Sequence, residues 1–470
     1  MAANEAQEAA ALGRATDALR GVMSVEEAYR FVLLLGLLRH HAESPRSGDA
    51  RSRGFDPYAW DELQSPYEDG HRPYDLIRSG VDRWGKDHGH RRVASLPDLT
   101  AVNPSQLRDV IDAVARAQSP VRLFELVLQV QSRGAKGGQY FTPRDVTALI
   151  VDLLAPRPHD SVYDPACGSG GLLVESAAYV TAHGGTSKDL SLFGQDSSVA
   201  ALDTAAMNLG VHDLDARLEG PASSLLQDGF PERTFDVVAV NPPFNQSRWD
   251  YGYSRHGGLW PLGIPPEGNA NFAWVQHCLT KLSPGGRAGI LLPTGAATST
   301  RGAERDIRAR LVESDLLAAV VELPAGLIPH VRNPVCLWIL AGRNGGKPAR
   351  ARGKVLLVDA RETSVAVDKR QRLLPKEAVA RIARTYAWWR GESGGSPYAD
   401  TPGWSRSVSI EELAARDFDV LPSRTVPAEA DGEPESGVHQ RLYELTAELE
   451  RHFEESRRLE DELRDLLDNR

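Results

Sequence analysis

The 470-residue sequence predicts an α/β fold: a doubly wound, largely parallel sheet, preceded by a helical N-terminal domain and followed by a coiled-coil-like helix. Three observations carry that reading. From Asp160 onward, short apolar runs alternate with helical segments, which is how a parallel sheet with crossover helices is written in sequence. Before it, Leu19, Val22, Ala28, Phe31, Val32, Leu35 and Leu38 recur at helical spacing. At the far end, Leu442, Leu445, Leu449, Leu459, Leu463 and Leu466 follow three- and four-residue steps among dense Glu and Arg.

In chain order, residues 1–131 read as a helical domain, with a second helical stretch at Pro104–Gln131 after a Ser-, Gly-, Pro- and Arg-rich passage. Residues 132–390 form the α/β domain. Its strands are "SVYD", "LSLFGQD", "FDVVAV", "RAGILLP", "LAAVVELP", "VCLWILA" and "KVLLVDA", with helices at Gly171–Thr181, Ala200–Leu209, Ala270–Leu282 and Arg301–Val312. Residues 391–436, with "GESGGSPYADTPG" and "VPAEADGEPESG", read as a flexible linker. Residues 437–470 are the coiled-coil-like helix, suited to a partner surface or to packing on its own domain.

Composition narrows the class. The chain is 41% hydrophobic and 25% charged, long enough for more than one core. "FVLLLGLL", at Phe31–Leu38, is too short to cross a bilayer, so no membrane role is expected. A net charge of −10 argues against coating nucleic acid by bulk electrostatics and leaves room for a local groove. Cys167, Cys278 and Cys336 stand far apart, which fits a reducing cytoplasm and no cysteine metal site.

Three islands stand where such a fold binds ligands: "GGQYFTPR" at Gly137–Arg144, "DPACGSGG" at Asp164–Gly171 and "NPPF" at Asn241–Phe244. The second joins a strand to a helix through a glycine turn, yet lacks the Gly-Lys-Ser/Thr of a phosphate-binding loop. Asp164 at a strand end suits a cationic ligand group. Asp196, at the end of the next strand, is placed like the acid that accepts hydrogen bonds from ribose hydroxyls. One positively charged nucleoside, S-adenosylmethionine, satisfies both. In "FDVVAVNPPF" the valines suit a strand covered on both faces, and the consecutive prolines stop it at Asn241. A plain strand-to-loop turn is the alternative.

"QYFTPR", "DPACGSGG" and "NPPF", in that order, resemble the adenine-N6 DNA methyltransferases, most closely the modification subunits of type I restriction–modification systems. "LLLGLLRHHAE", "GNANFAWVQHCLTKLSPGGRAGILLPTGA" and the C-terminal tail are similar too, so that about three quarters of the chain is covered and chance is a poor account. The resemblance implies a Rossmann-like S-adenosylmethionine-dependent methyltransferase domain that flips an adenine out of double-stranded DNA. Asn241 and Pro242 would accept hydrogens from the exocyclic amine, Pro243 would keep the loop rigid, and Phe244 would stack on the base. No metal is needed. The cofactor would be held by Gln139, Tyr140, Phe141, Thr142, Pro143, Arg144, Asp164, Ala166, Gly168, Ser169, Gly170 and Asp196. A specificity subunit is the implied partner and, where the system carries one, a restriction subunit.

One departure concerns the cofactor's adenine. Where such enzymes usually carry an acid before the catalytic strand, this chain has Ser223, with Asp228 further on, so either Ser223 substitutes or Asp228 takes over. Basic runs at Arg301, Arg305, Arg308 and Arg310, and at Arg343, Lys347, Arg350, Arg352 and Lys354, read as phosphate contacts or as solvated faces. A protein glutamine methyltransferase and a non-catalytic binding scaffold stay open as alternatives.

Overall fold

The computed structural model describes residues 10–44 except 11 and 15, then 60–65, 73–87, 98–99, 102–134, 142–249, 260–329, 331, 333–343, 346–367, 371–392, 397–427, 451–452 and 458. Nine strands make one sheet: β1 (Ser161–Asp164), β2 (Ser191–Gln195), β3 (Ala216–Glu219), β4 (Phe235–Val240), β5 (Leu282–Pro293), β6 (Leu317–Leu323), β7 (Val335–Ala341), β8 (Lys354–Asp359) and β11 (Ser405–Ser409). The spatial order is β3-β2-β1-β4-β5-β7-β6-β8-β11. β9 (Val365–Ala366) and β10 (Arg372–Leu373) form a separate hairpin.

β1 lies between β2 and β4, parallel to both. The chain winds away from β1 in two directions, which opens a crevice at the carboxyl ends of these strands. Every strand read from the sequence is present. β7, however, runs antiparallel between β5 and β6, so the sheet is less uniformly parallel than its strand and helix alternation implies.

β4 shows why the sequence makes a two-sided strand. Val237 and Ala239 join the core on one face, with α6 (Arg144–Leu154), α7 (Gly171–Ala182) and α12 (Lys376–Arg390). Val238 and Val240 join the opposite core, with α9 (Asn271–Thr280) and α11 (Gly302–Glu313). Successive side chains alternate across the sheet, and both faces are covered.

The N-terminal helices α1 (Val25–Glu43), α2 (Trp60–Gln64), α3 (Pro73–Asp87), α4 (Pro104–Arg116) and α5 (Pro120–Gly134) share a third core. That core also includes Ala206, Met207 and Val211 of α8 (Val199–Val211), so the helical layer packs directly on the α/β domain. Ser24 caps α1 and receives Glu27 in return, closing a capping box. The single helical stretch expected at Pro104–Gln131 is two helices, because Pro120 has no amide to continue the first.

The expectation of a flexible linker at 391–436 needs correcting. Within it, β11 pairs antiparallel with β8, and α13 (Ile410–Ala415) and α14 (Pro422–Thr425) follow. Trp404, Val408, Leu413, Phe418 and Val420 are buried among the Ser, Gly and Pro that suggested a linker. They close the edge of the sheet. Of the coiled-coil-like tail, only Arg451, His452 and Arg458 are among the described residues. No described helix is long and apolar enough to cross a membrane.

Candidate active site

The glycine turn after β1 is built from backbone bonds. Cys167 N–H donates to the Gln195 carbonyl at the end of β2, at 2.9 Å, and Gly170 N–H to the Cys167 carbonyl at 2.7 Å. Gly170 has φ 76°, where an L side chain is strained, and a Cβ there would lie 3.4 Å from the Cβ of Ala205 on α8. On β2, a Cβ at Gly194 would meet Leu218 at 2.8 Å and the Cys167 sulfur at 3.1 Å, so only glycine lets the turn lie this close to the sheet. Asn208 on α8 donates to the Ser169 carbonyl at 2.8 Å and ties the other side.

Asp164 ends β1, only 2% exposed, with its Oδ1 accepting the Ala166 amide at 3.0 Å. Among the described residues no cation pairs with it. Burial, helped by the negative charge of Asp196 and opposed by the Ala166 amide, pushes its carboxyl up to about 8. A buried acid in this condition ionises, with loss of its proton, when a cationic ligand group pairs with it. Asp196 accepts Gly168 N–H at 3.0 Å and Ser198 N–H at 2.8 Å, one on each carboxylate oxygen. Each oxygen keeps a further lone pair for a ligand hydroxyl. Cys167 is buried, and desolvation drives its thiol well above the usual range, so it packs and does not act as a nucleophile.

At the end of β4, Asn241 is 8% exposed, Pro242 is buried, and Pro243 and Phe244 are half-buried. The Asn241 Nδ2 donates to the Thr142 hydroxyl at 2.9 Å, across 99 residues of sequence. Thr142, Asp164, Ala166, Gly168, Ser169 and Asn241 line one narrow cleft, so parts of all three islands meet. Pro143 occupies the N-cap position of α6 without a side-chain cap, and Arg144 pairs with Glu125 of the helical layer at 2.5 Å. Gln139, Tyr140 and Phe141 lie outside the described residues.

Two sets of residues that sequence reasoning left out hold this site. The first is three asparagines beyond the prolines. Asn245 has φ 52° and donates its amide to Asn271 Oδ1 at 3.0 Å, while Asn271 Nδ2 returns a bond to Asn245 Oδ1 at 2.9 Å. Asn271 N–H donates to Asn269 Oδ1 at 3.0 Å, so the start of α9 clamps the loop that follows Phe244. The signal was legible: asparagine tolerates left-handed backbone but is a poor helix former, and it recurs in "NPPFN" and "GNAN". The second is Gln195. Its amide donates to the carbonyls of Ala222 and Gln227 and accepts from Tyr163 and Gly229, pinning the 222–229 loop to β2.

That loop carries both Ser223 and Asp228. Asp228 forms an ion pair with buried Lys281 and accepts the Phe230 amide. Ser223 is half-buried, and its carbonyl accepts the Leu226 and Gln227 amides.

Three arginines of the basic run on α11 have protein partners. Arg308 is 1% exposed and donates to the carbonyls of Phe418, Ala296, Ser299 and Asp417. Arg310 donates to the Leu262 carbonyl, Arg305 pairs with Asp417, and Lys347 of the second run pairs with Asp315. These side chains staple loops to the sheet.

The comparisons with known proteins agree with this architecture. The family model described as N-6 DNA Methylase matches residues 121–433. The HindI type I restriction enzyme methylase subunit of Haemophilus influenzae is 35% identical over 71% of this chain and 74% of its own length. The MjaIX type I restriction enzyme methylase subunit of Methanocaldococcus jannaschii is 32% identical over 74% of this chain and 62% of its own. In fold, the chain is similar to a type I restriction–modification methyltransferase subunit from Streptococcus thermophilus, with a TM-score of 0.69 at 20% identity, over 90% of this chain and 99% of that one. With three ordered motifs converging at the carboxyl ends of β1 and β4, and a family match over most of its length, the chain belongs to the N-6 DNA methylase family, enzymes that methylate the exocyclic amine of adenine in DNA.

Proposed function

We propose that the cleft at the ends of β1 and β4 transfers a methyl group from S-adenosylmethionine to N6 of an adenine flipped out of double-stranded DNA. The observation that carries this is Asn241: a nearly buried amide at a strand end, held through its Nδ2 and followed by two prolines that add no amide donors. When bound, the cofactor supplies an electrophilic methyl on a sulfonium.

The chain's own residues do the rest. Asn241 Oδ1 and the Pro242 carbonyl accept the two hydrogens of the adenine amine, which draws its lone pair out of the ring and stabilises the positive charge that develops on nitrogen. The Asn245–Asn269–Asn271 network keeps those acceptors from relaxing. Phe244 stacks on the flipped base. Asp164 takes the cofactor's ammonium and Asp196 its ribose, while the Gly168–Gly170 turn lets the backbone approach. Gln139, Tyr140, Phe141 and Arg144 are assigned to the methionine end of the cofactor by the family resemblance.

Site choice is assigned to a specificity subunit, with a restriction subunit as a further partner, which fits relatives named as methylase subunits of type I restriction enzymes. The three free, buried thiols suit work in the cytoplasm. The test is product identity. The full chain, co-expressed with its specificity partner, is incubated with labelled S-adenosylmethionine and amplified, unmodified genomic DNA, and the DNA is digested to nucleosides. N6-methyl-2′-deoxyadenosine is expected. Label confined to protein glutamine points to the alternative substrate, and cofactor binding without any product points to a scaffold.

A further inference from the structure

We infer that His40, His41 and Asp213 form a site for a borderline divalent cation of the zinc type, placed where the helical layer meets the α/β domain. None of the three lines the methyl-transfer cleft.

Adjacent residues leave a helix axis about 100° apart, so two neighbouring histidines ordinarily serve different surroundings. Here they meet. His40 and His41 stand in the last turn of α1, and their rings pack edge to face with centroids 5.1 Å apart. His41 is only 4% exposed, and half-buried His40 places its Nε2 3.3 Å from Oδ2 of Asp213. Asp213 follows α8 in left-handed backbone, with φ 52°. One ligand atom from each of the three lies within 4.8 Å of the others, and no other group of three or more His, Cys, Asp or Glu among the described residues comes that close.

The chemistry of the set favours a metal over a plain ion pair. Ligands about 2.0–2.1 Å from a tetrahedral centre stand roughly 3.3 Å from one another, which is the separation of His40 Nε2 and Asp213 Oδ2. Two imidazoles and one carboxylate make a borderline set: it has no thiolate to select soft copper, and it is not the all-oxygen shell that magnesium and calcium prefer. The exposed side of Asp213 leaves the fourth position to water. Both helices also end here, α1 at Glu43 and α8 at Val211, and the negative poles of their dipoles favour positive charge at the junction.

What the site does follows from what it joins. His40 and His41 belong to the helical layer, while Asp213 follows the helix whose Asn208 donates to the Ser169 carbonyl of the glycine turn at 2.8 Å. A bound cation fixes that helix end to the helical layer and braces the turn from behind.

For the test, the full chain without an affinity tag is stripped with a chelator and titrated with zinc chloride by calorimetry, with the melting temperature read beside it. Asp213→Asn and His40→Gln are the variants, because both positions are partly exposed and both replacements stay polar. One zinc per chain is expected, with imidazole scattering in the zinc-edge X-ray absorption spectrum. Each variant should bind at least about tenfold more weakly, the scale on which even supporting groups of a metal site matter. With zinc about a hundredfold above its dissociation constant, the parental melting temperature should rise by about 3 °C and that of each variant by about half as much or less. Zinc that binds either variant with parental affinity sits elsewhere and overturns the inference. Absence of binding to the parent overturns it too and leaves His40 and Asp213 an ion pair, in which case Asp213→Asn lowers the melting temperature equally with and without zinc.

Discussion

Asn241 and Arg308 are both polar, both buried and both within reach of the carboxyl ends of the strands, yet they are finished differently. Arg308 spends its guanidinium on four backbone carbonyls, from Ala296, Ser299, Asp417 and Phe418. Asn241 makes one side-chain bond among the described residues, to Thr142, and turns the remaining acceptor toward a cleft. A buried polar group that is fully satisfied holds the structure, whereas one left partly open in a pocket is available for chemistry. Charge alone would rank these two residues the other way round for a DNA enzyme.

The sharpest way to break that contrast is at Asn241. Its replacement by Ala should lower the single-turnover methylation rate by about a hundred- to a thousandfold, the usual cost of one preorganised group facing developing charge. The melting temperature should barely move, because Val237, Val238 and Val240 supply the packing of the strand. Asn241→Asp should lose less, since a carboxylate still accepts. Parental turnover in Asn241→Ala reduces the strand end to a turn.

Arg308→Ala should do the reverse. Stranding several buried carbonyls costs about 1–3 kcal/mol each before relaxation, so a stability loss on the order of 3 kcal/mol is expected. Methylation per folded molecule should stay near the parental value. The urea midpoint and an activity assay normalised to folded protein check this together, and lost turnover at unchanged stability would place Arg308 in the site after all.

Asp196 sharpens the comparison because it serves both purposes. Its oxygens accept the amides of Gly168 and Ser198, and the proposed function also gives them the cofactor's ribose hydroxyls. Asp196→Ala should weaken S-adenosylmethionine binding by about 1–3 kcal/mol. Calorimetry showing unchanged affinity beside a lowered melting temperature makes it a turn residue in the manner of Arg308.

The smallest effect is one of protons. With its carboxyl pushed up to about 8, Asp164 is mostly protonated at neutral pH in the free protein. Pairing with a cation requires the ionised form, so binding should release close to one proton at pH 7, and affinity should rise by at most about tenfold per pH unit toward that value. The sign for folding is the opposite. A raised carboxyl contributes stability present below its ordinary range and lost as pH climbs toward 8. Calorimetry in buffers of different ionisation heat reads the release, and Asp164→Asn should abolish it. Equal release in both proteins shows that the proton comes from elsewhere.

How much of this was legible beforehand depended on whether the information was local. The strands from "SVYD" to "KVLLVDA" were readable because two-sided burial demands continuous apolar runs, and each run was its own signal. "DPACGSGG" and "NPPF" were readable because glycine and proline limit the backbone wherever they stand. β11 was missed because Val408 is its one buried apolar residue among serines, and only the open edge of β8 gives the strand a place to pair. Arg308 alone departs from a solvated face, because a charged side chain at a helix position reads the same whether its head meets water or a ring of carbonyls.

The sequence by itself determined the α/β class, the ordered motifs and the stop at Asn241, since those follow from period, side-chain volume and backbone freedom within a few residues. The tertiary structure alone decided that β7 runs antiparallel inside the sheet, that Arg308 points inward, that Asp228 pairs with Lys281, and that Thr142 meets Asn241. Each of these is a pairing between segments far apart in the chain, chosen by which buried polar group would otherwise be left without a partner.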